Sequence, residues 1–226
     1  MTAPASPDPS AAPSAWTLAS VTPPSWAEVA ARDVVALLSD HAHCELKAAA
    51  NAMTMLKRNP DRPGFALRLM PLIREEVDHL HRVLRELAAR GAELGQDRPN
   101  PWAEGLHRFA RDSRPAAPRA GFLDTVLVSA LIELRSHERF ERLLECPALA
   151  ELHPLYGGLC EAEARHGGLF VEIALELADE ALVRGRFEQL AAEEARLLET
   201  LPGGSRVHSG LAPASPSGRV PSVLPG

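Results

Sequence analysis

Two short patterns in the sequence pair a carboxylate with an imidazole: Glu76-x-x-His79 and Glu163-x-x-His166. Residues three apart on an α-helix lie about 60° apart around its axis, so each pair points into the same space. Carboxylate oxygens combined with imidazole nitrogens suit iron or manganese better than copper or a structural zinc. The two patterns therefore predict an iron or manganese site between helices.

A further glutamate precedes each pair at almost the same interval. Glu45 lies 31 residues before Glu76, and Glu133 lies 30 residues before Glu163. This near-repeat predicts two helical hairpins that present their ligands at the same level. Two divalent cations would balance the four carboxylates, and the two histidines would add nitrogen ligands. The predicted site holds two metal ions between six residues: Glu45, Glu76, His79, Glu133, Glu163 and His166.

Each of the four glutamates interrupts a mostly apolar stripe of its helix. In the first long helix, a spacing of four and three residues defines an inward-facing stripe: Val34, Leu38, His41, Glu45, Ala48, Ala52 and Met55. The other three long helices repeat the arrangement around Glu76, Glu133 and Glu163. A buried carboxylate is costly unless it is paired, protonated or bound to metal. Because lysine and arginine lie mostly off these stripes, metal ions are the expected charge partners.

Neighbouring residues offer alternative ligands. Glu75 could replace Glu76 by pairing with His79 one turn later, and Glu138 could replace Glu133. Each replacement breaks either the apolar stripe or the matched interval, so both rank second.

Three further residues share the stripes but have no assigned chemistry. His41 and His137 each lie one helical turn from a predicted ligand. Hydrogen bonding to that ligand and ordinary packing with a neighbour are equally open for both. Tyr156, seven residues before Glu163, invites comparison with a radical site, but packing is the favoured interpretation.

The elements that must position these residues are helices, because Ala, Leu, Glu and Arg dominate the composition and alternating β-patterns are scarce. Four long helices are predicted at 31–57, from after Pro63 to Gly91, at 122–145 and at 155–179, with a last helix over 187–201. About thirty residues with room for one short helix near 102–111 connect the second and third helices. Two hairpins joined by one long crossover predict an all-α, ferritin-like four-helix bundle with an extra C-terminal helix.

Composition sets the domain boundaries and the expected surroundings. Residues 1–24 and 202–226 are rich in Pro, Ala, Ser and Gly and are predicted to be disordered tails, which leaves 25–201 as the domain. The net charge of −6 argues against a general nucleic-acid coat. Three isolated cysteines without a C-x-x-C pair fit a reducing cytoplasm. No secretory signal or membrane-spanning segment is expected.

Four segments resemble the helix motifs of a known family, in the same order: DHAHCELKAAANAM at 40–53, EEVDHLHRVL at 75–84, LIELRSHERF at 131–140 and EAEARHGGLF at 161–170. This family comprises the bacterial tRNA 2-methylthio-N6-isopentenyladenosine hydroxylases, called MiaE, and the resemblance extends over about residues 25–200. It implies that the six residues named above are ligands of two iron ions, with O2 as co-substrate.

The resemblance also implies a substrate and partners. Family members are expected to hydroxylate the isopentenyl side chain of a modified adenosine in the tRNA anticodon loop, with electrons from an external, unidentified donor protein. RNA contacts would have to come from local basic groups: Lys57, Arg58 and Arg62, or Arg108, Arg111, Arg114 and Arg119 in the crossover. The sequence leaves monomer and dimer equally open.

Other functions are compatible with the same pattern. A di-iron oxidase could act on a small metabolite or lipid, and a ferritin-type protein could handle iron or peroxide. The absence of rubredoxin-like cysteine pairs disfavours a rubrerythrin. A metal-free helical interaction module is the remaining alternative, and it does not explain why each stripe carries a glutamate.

Overall fold

The computed structural model describes residues 16–117 and 119–213. The helices in this part are α1 Ser25–Ala30, α2 Val34–Arg58, α3 Phe65–Ala89, α4 Pro101–Asp112, α5 Ala120–Leu144, a 3₁₀ helix Pro147–Leu152, α6 His153–Leu175 and α7 Glu180–Thr200. The predicted all-α bundle of two hairpins, α2–α3 and α5–α6, joined by a long crossover is confirmed. Among the described helices, none is long and apolar enough to cross a membrane.

Several helices begin where a short polar side chain caps the backbone. Asp33, Asn100 and Asp179 accept hydrogen bonds from the backbone N–H three residues later, at 2.9, 3.3 and 3.0 Å. Such caps satisfy an N–H group that the first turn leaves without a partner. The cap at Asp33 also separates α1 from α2. The first long helix therefore begins at Val34, three residues later than predicted.

A polar layer divides the core of the bundle into two apolar clusters. One cluster includes Ala52, Leu69, Val126 and Phe170, and the other includes Leu38, Val83, Phe140 and Leu159. In each of the four long helices, the predicted ligands lie between the residues that join one cluster and those that join the other. The layer is therefore sealed from solvent above and below by close-packed side chains.

Helices α4 and α7 form a second layer against α5. The buried Arg135 of α5 makes a bidentate pair with the buried Glu194 of α7, with both N–O distances 2.9 Å. Trp102 of α4 donates from its indole to the same carboxylate at 3.1 Å. The last helix packs outside the four-helix bundle, as expected. Its buried Glu194 also connects α5 to the crossover through these hydrogen bonds.

Residues on both sides of the predicted domain, 25–201, pack against the bundle in the structure. Thr22 is buried and donates from its backbone N–H and its hydroxyl to Glu138, at 2.6 Å each. Residues 202–213 fold back onto the bundle, where Val207 is fully buried. Long-range contacts order both stretches, and composition does not reveal such contacts. The other residues predicted to form tails, 1–15 and 214–226, lie outside the described residues.

Candidate metal centre

The polar layer brings all six predicted residues together. Helix α2 contributes Glu45 and α5 contributes Glu133, while α3 and α6 each contribute a carboxylate and an imidazole three residues later. At most 5% of each residue's surface is exposed. The helical period explains the convergence, because each residue lies on the stripe of its helix that faces the centre of the bundle.

These residues form two overlapping groups in which all ligand atoms lie within 4.8 Å of one another. The first group is Glu45, Glu76, His79 and Glu163, and the second is Glu76, Glu133, Glu163 and His166. Glu76 and Glu163 belong to both groups. The geometry thus fits two adjacent metal ions bridged by two carboxylates, each with one further carboxylate and one histidine.

The atoms that face the centre are close together but lack hydrogen bonds. His79 Nδ1 lies 3.5 to 3.7 Å from oxygens of Glu45, Glu76 and Glu163. His166 Nδ1 lies 2.8 Å from Glu76 Oε1, in a direction that makes no hydrogen bond. Among the described residues, neither nitrogen and neither Glu76 oxygen has a hydrogen-bond partner. Buried polar atoms seldom remain unpaired, so these donor atoms fit a metal-binding site.

Protonation of the metal-free cluster reflects the crowding of its carboxylates. Burial and the nearby charge of Glu76 raise the pKa of Glu133 to about 7. Burial opposes the charging of His79, but Glu45 and Glu76 prevail and raise its pKa to about 9. Burial also disfavours the charged form of Glu45, yet interactions with His41 and His79 lower its pKa. Without cations, four ionised carboxylates cannot coexist here, so some retain protons.

Two residues outside the cluster contact the predicted ligands. His41 is fully buried, and its Nε2 atom lies 2.6 Å from Glu45 Oε1. Glu75 lies 2.8 Å from His166 Nε2, the ring nitrogen opposite the one that faces Glu76. Hydrogen bonds of this kind fix the orientation of a ligand and the tautomer of a histidine. Glu75 thus contacts a predicted ligand but belongs to neither group.

The remaining candidates lie elsewhere. Nδ1 of His137 faces the backbone oxygen of Cys160 at 2.9 Å, and its side chain is partly exposed. Glu138 pairs with Thr22 and Arg135 instead of joining the cluster. Tyr156 is buried and stacks on the His41 ring, with 5.5 Å between the ring centroids.

A cavity of about 610 Å³ leads from the surface to the cluster. It lies between α2, α5 and the crossover, and its wall includes Ala48, Asn51, Trp102, Ser129, Glu133 and His208. The small side chain of Ala48 leaves room beside Glu45, as the alanine-rich sequence around that residue suggests. A second, much smaller cavity of about 20 Å³ borders Glu45, Glu133, Glu163 and His208.

Trp102 and His208 line this cavity, although no motif or spacing in the sequence predicts either residue there. Trp102 belongs to the short helix of the crossover, whose pattern does not show what its apolar face covers, and His208 belongs to a stretch predicted to be disordered. Their indole and imidazole rings stack with centroids 4.3 Å apart and planes within 6°. Only the folding back of residues 202–213 brings the two rings together.

The fold and this cluster define a ferritin-like helical bundle with a carboxylate and histidine centre suited to two metal ions. A solved structure from Synechococcus, described as protein 43 with aldehyde deformylating oxygenase activity, matches with a TM-score of 0.76 and 38% identity. The match covers 86% of this chain and 96% of that one.

The family model for MiaE, described as tRNA-(MS[2]IO[6]A)-hydroxylase, matches residues 10–209, and the chain belongs to this family. A tRNA 2-(methylsulfanyl)-N(6)-isopentenyladenosine(37) hydroxylase from Pseudomonas putida is 36% identical over 194 residues, covering 85% of this chain and 92% of that protein. The protein of the same description from Salmonella typhimurium is 28% identical, covering 85% and 87%.

Proposed function

We propose that the chain is a di-iron monooxygenase that hydroxylates the isopentenyl side chain of 2-methylthio-N6-isopentenyladenosine in tRNA. It takes O2 as co-substrate and electrons from an external donor protein, and it acts in the cytoplasm. The position of Glu133 carries the proposal, because this residue belongs to the carboxylate cluster and also to the wall of the open cavity. A substrate side chain inserted into the cavity ends beside the donor atoms.

The six clustered residues would hold the two iron ions. Glu45, Glu76, His79 and Glu163 would hold one ion, and Glu76, Glu133, Glu163 and His166 would hold the other. When bound, iron would activate O2, which is the oxidant for oxygen insertion into an unactivated C–H bond. His41 and Glu75 keep the ligands oriented, while the two apolar clusters exclude water from the reaction.

The cavity suits the proposed substrate in size and position. Its volume of about 610 Å³ falls within the range of roughly 300–1,000 Å³ that is typical of small-ligand sites. A base in an exposed RNA loop can be splayed out, so its apolar N6 substituent can enter such a pocket. The substrate named for the relatives from Pseudomonas putida and Salmonella typhimurium supports this choice.

Basic groups near the cavity provide a route for RNA binding. Arg108 and Arg111 are exposed on α4, the helix that contributes Trp102 and His107 to the cavity wall. Arg114, by contrast, pairs with the buried Asp124 at 3.0 Å, so its charge is used within the fold. We therefore assign phosphate contacts to Arg108 and Arg111 before the other basic candidates.

Mass analysis of nucleosides tests the proposal. Purified tRNA that carries the isopentenyl modification is incubated with iron-loaded protein, a reductant and oxygen, and one added oxygen atom is expected on the modified adenosine. The Glu133→Ala variant should give no product, whereas Glu141→Ala, an exposed change on the same helix, should retain activity. Oxygen uptake without any change in the tRNA would reject the substrate and leave the metal centre to be explained.

A second candidate follows from the Synechococcus structure, whose description states aldehyde deformylating oxygenase activity. At 38% identity over 86% of this chain, that protein supports an oxygenase acting on a small apolar aldehyde in the same cavity. Formate release from a medium-chain aldehyde, under the conditions used for tRNA, distinguishes the two functions. Formate without modified nucleoside would favour the aldehyde reaction.

A further inference from the structure

Four apolar side chains of the α2–α3 hairpin are only half covered: Leu46 and Met53 on α2, and Met70 and Val77 on α3. Between 44% and 51% of each residue's surface is exposed. In the other hairpin, α4 and α7 pack against α5 and cover it. Single exposed apolar residues are ordinary, whereas a group of them on one surface marks an interaction site.

The orientation of α2 places its two exposed apolar residues next to α3. Asn51 marks the side of α2 that faces α5, because its amide donates to the Ser129 hydroxyl of α5 at 2.9 Å. An α-helix turns by about 100° per residue, so Leu46 and Met53 lie on roughly the opposite side from Asn51. In the bundle, that side of α2 borders α3.

The orientation of α3 brings its two exposed apolar residues to the same surface. Arg68 marks the side of α3 that faces α6, because it contacts Glu172 of α6 at 3.0 Å. Met70 and Val77 lie on roughly the opposite side from Arg68, which borders α2. The four residues Leu46, Met53, Met70 and Val77 therefore share the outer surface of the hairpin and are called the α2–α3 patch below.

The charged groups that border the α2–α3 patch are basic. Lys57 follows Met53 by one helical turn, and Arg74 lies between Met70 and Val77 on the same side of α3. Both basic side chains are exposed, and neither has an ion-pair partner among the described residues. The exposed carboxylate of α3, Asp78, is turned a further 100° or so from Val77, away from α2. A chain of net charge −6 thus has a local positive surface here.

The α2–α3 patch lies directly outside the carboxylate cluster. Leu46 and Val77 follow the predicted ligands Glu45 and Glu76 in the sequence. Only the thickness of α2 and α3 separates the patch from the cluster, and a helix with its side chains is about 10 Å across. The open cavity lies on another side of α2, towards α5. A partner on the patch would therefore be close to the cluster without entering the substrate cavity.

The proposed reaction needs such a partner. One atom of O2 enters the substrate and the other leaves as water, which consumes two electrons and two protons. Solvent supplies the protons, and a one-electron donor must be oxidised in two successive encounters. Electron transfer slows steeply with distance, so the donor has to dock where little protein separates it from the cluster.

We propose that the α2–α3 patch, bordered by Lys57 and Arg74, is the docking surface for a small acidic electron-transfer protein. The inference rests on the proposed function, because it names the surface at which the external electrons enter. Apolar contacts at the centre hold the donor, and carboxylates around the donor's own cofactor pair with the basic border. Electron-transfer encounters bury little surface, so four apolar side chains suit a transient complex.

Other partners fit this surface less well. In a two-fold contact between copies of the chain, the same residues meet from both sides, so Arg74 at the centre would approach the Arg74 of the other copy. Like charges across an interface oppose association. The patch also has no aromatic ring on which an unstacked RNA base could lie.

An acidic [2Fe–2S] ferredoxin is the probe for the docking surface. Calorimetry at low salt measures its binding, in the oxidised form, to the iron-loaded protein without tRNA. Stopped-flow absorbance then follows anaerobic reoxidation of the reduced ferredoxin by the same protein. The variants are Arg74→Glu, Arg74→Lys and the double change Met53→Ser with Val77→Ser. The matched control is Arg32→Glu, an exposed arginine before α2 and outside the patch.

Charge reversal at the centre of the surface should weaken ferredoxin binding by Arg74→Glu about five- to tenfold at low salt. The double serine variant should bind at least about fivefold more weakly at any salt concentration. High salt should reduce the defect of Arg74→Glu, because screening removes the repulsion. Arg74→Lys and Arg32→Glu should bind within about twofold of the wild type.

The kinetics should separate docking from a general defect. In Arg74→Glu, half-maximal reoxidation should need about five- to tenfold more ferredoxin, with an unchanged limiting rate. Iron content, melting temperature and hydroxylation driven by dithionite, a small reductant that needs no docking surface, should also be unchanged. A merely structural role would instead lower the melting temperature and the dithionite-driven activity.

Four results would overturn the inference. Absence of ferredoxin binding by the wild type would reject an acidic donor, and wild-type binding by Arg74→Glu would reject this surface. A wild-type dimer that the double serine variant converts to a monomer, by sedimentation, would assign the patch to a second copy. Weaker tRNA binding by Arg74→Glu, with ferredoxin binding unchanged, would assign it to RNA. Because neither ferredoxin measurement uses tRNA, a wrong substrate would leave both results intact.

Discussion

At the scale of single residues, the predicted metal centre is a cluster of carboxylates whose negative charges repel one another when no cation is present. Glu133 and His79 retain protons in the metal-free protein, with pKa values of about 7 and about 9. Metal ligands must be deprotonated, so metal binding displaces these protons. Lower pH therefore favours the protonated, metal-free site, and metal affinity rises as pH rises towards 9.

Proton release on metal binding tests this linkage. Between pH 8 and pH 6 the carboxyl of Glu133 becomes protonated, so anaerobic Fe(II) binding should release about one more proton at pH 6 than at pH 8. Calorimetry in buffers of different ionisation enthalpy measures the number. The Glu133→Gln variant should lose this increment, and an unchanged difference in that variant would contradict the assignment.

Two histidines that each lie one helical turn from a predicted ligand now have different expected roles. His41 contacts the predicted ligand Glu45, whereas His137 contacts Cys160 instead. Removing a hydrogen bond that orients a ligand typically costs 10- to 100-fold, roughly, in metal affinity. His41→Leu should weaken Fe(II) binding by about that factor, and His41→Gln, which retains a donor, should restore part of it.

The matched control for that experiment is His137→Leu, one turn from Glu133 on its own helix. Its Fe(II) affinity, from competition with a chromophoric chelator, should equal that of the wild type. Equal losses in the two leucine variants would mean that general packing, not the contact with Glu45, controls the affinity.

At the scale of elements, the four long helices carry the predicted ligands, and other segments shape the space around them. The crossover contributes Trp102 to the cavity. The loop of residues 201–213, whose two ends are hydrogen-bonded together, contributes His208. Helices hold ligands precisely because neighbouring turns fix each backbone position, which a site for two ions requires. The crossover and the loop contribute different chemistry, since their residues line the cavity that we propose as the substrate site.

A substitution at Gly210 can test the contribution of this loop to activity separately from that of the bundle. An added Cβ at this position meets backbone atoms of Leu201, which cannot move aside as a flexible side chain does. Gly210→Ala should therefore displace the loop, with at least a tenfold loss of hydroxylation by estimate, while helical content and iron binding persist.

Gly204→Ala, in the same loop, is the control, because a Cβ there has no neighbour within 4 Å. Circular dichroism, iron content and nucleoside analysis report on the fold, the metal centre and the reaction separately. Full activity of Gly210→Ala would show that the loop position does not matter for turnover.

At the scale of the whole molecule, a net charge of −6 must be reconciled with a polyanionic substrate. Overall repulsion has to be overcome by a local positive surface near the cavity. Arg108 and Arg111 on α4 meet that requirement, while Lys57 and Arg58 lie at the C-terminal end of α2.

Salt dependence distinguishes these two surfaces. A plot of log affinity against log salt concentration has a negative slope. For each phosphate of a single-stranded loop that a variant no longer neutralises, the magnitude of this slope should decrease by about 0.7. Arg108→Glu combined with Arg111→Glu should weaken tRNA binding and flatten the slope, without changing iron content. The corresponding pair Lys57→Glu and Arg58→Glu should have little effect; the reverse result would assign the RNA contacts to the end of α2.

The helical arrangement and the positions of the six clustered residues were predictable from the sequence because both depend on local periodicity. A glutamate on an apolar stripe must face the other helices, and the nearly equal intervals from Glu45 to Glu76 and from Glu133 to Glu163 set the ligands at one level. The fold prediction is confirmed, and the six residues converge as expected; their binding of iron remains a prediction.

The tertiary structure was needed to show which residues surround the cavity and which neighbours hold the ligands. The sequence leaves the roles of His41 and His137 equally open, because a helical pattern gives the face of a residue but not its partner. His208 belongs to a segment whose composition suggests disorder. Its position depends on contacts such as that between Asp40 and Val207, 167 residues apart, and no local pattern encodes a contact of that range.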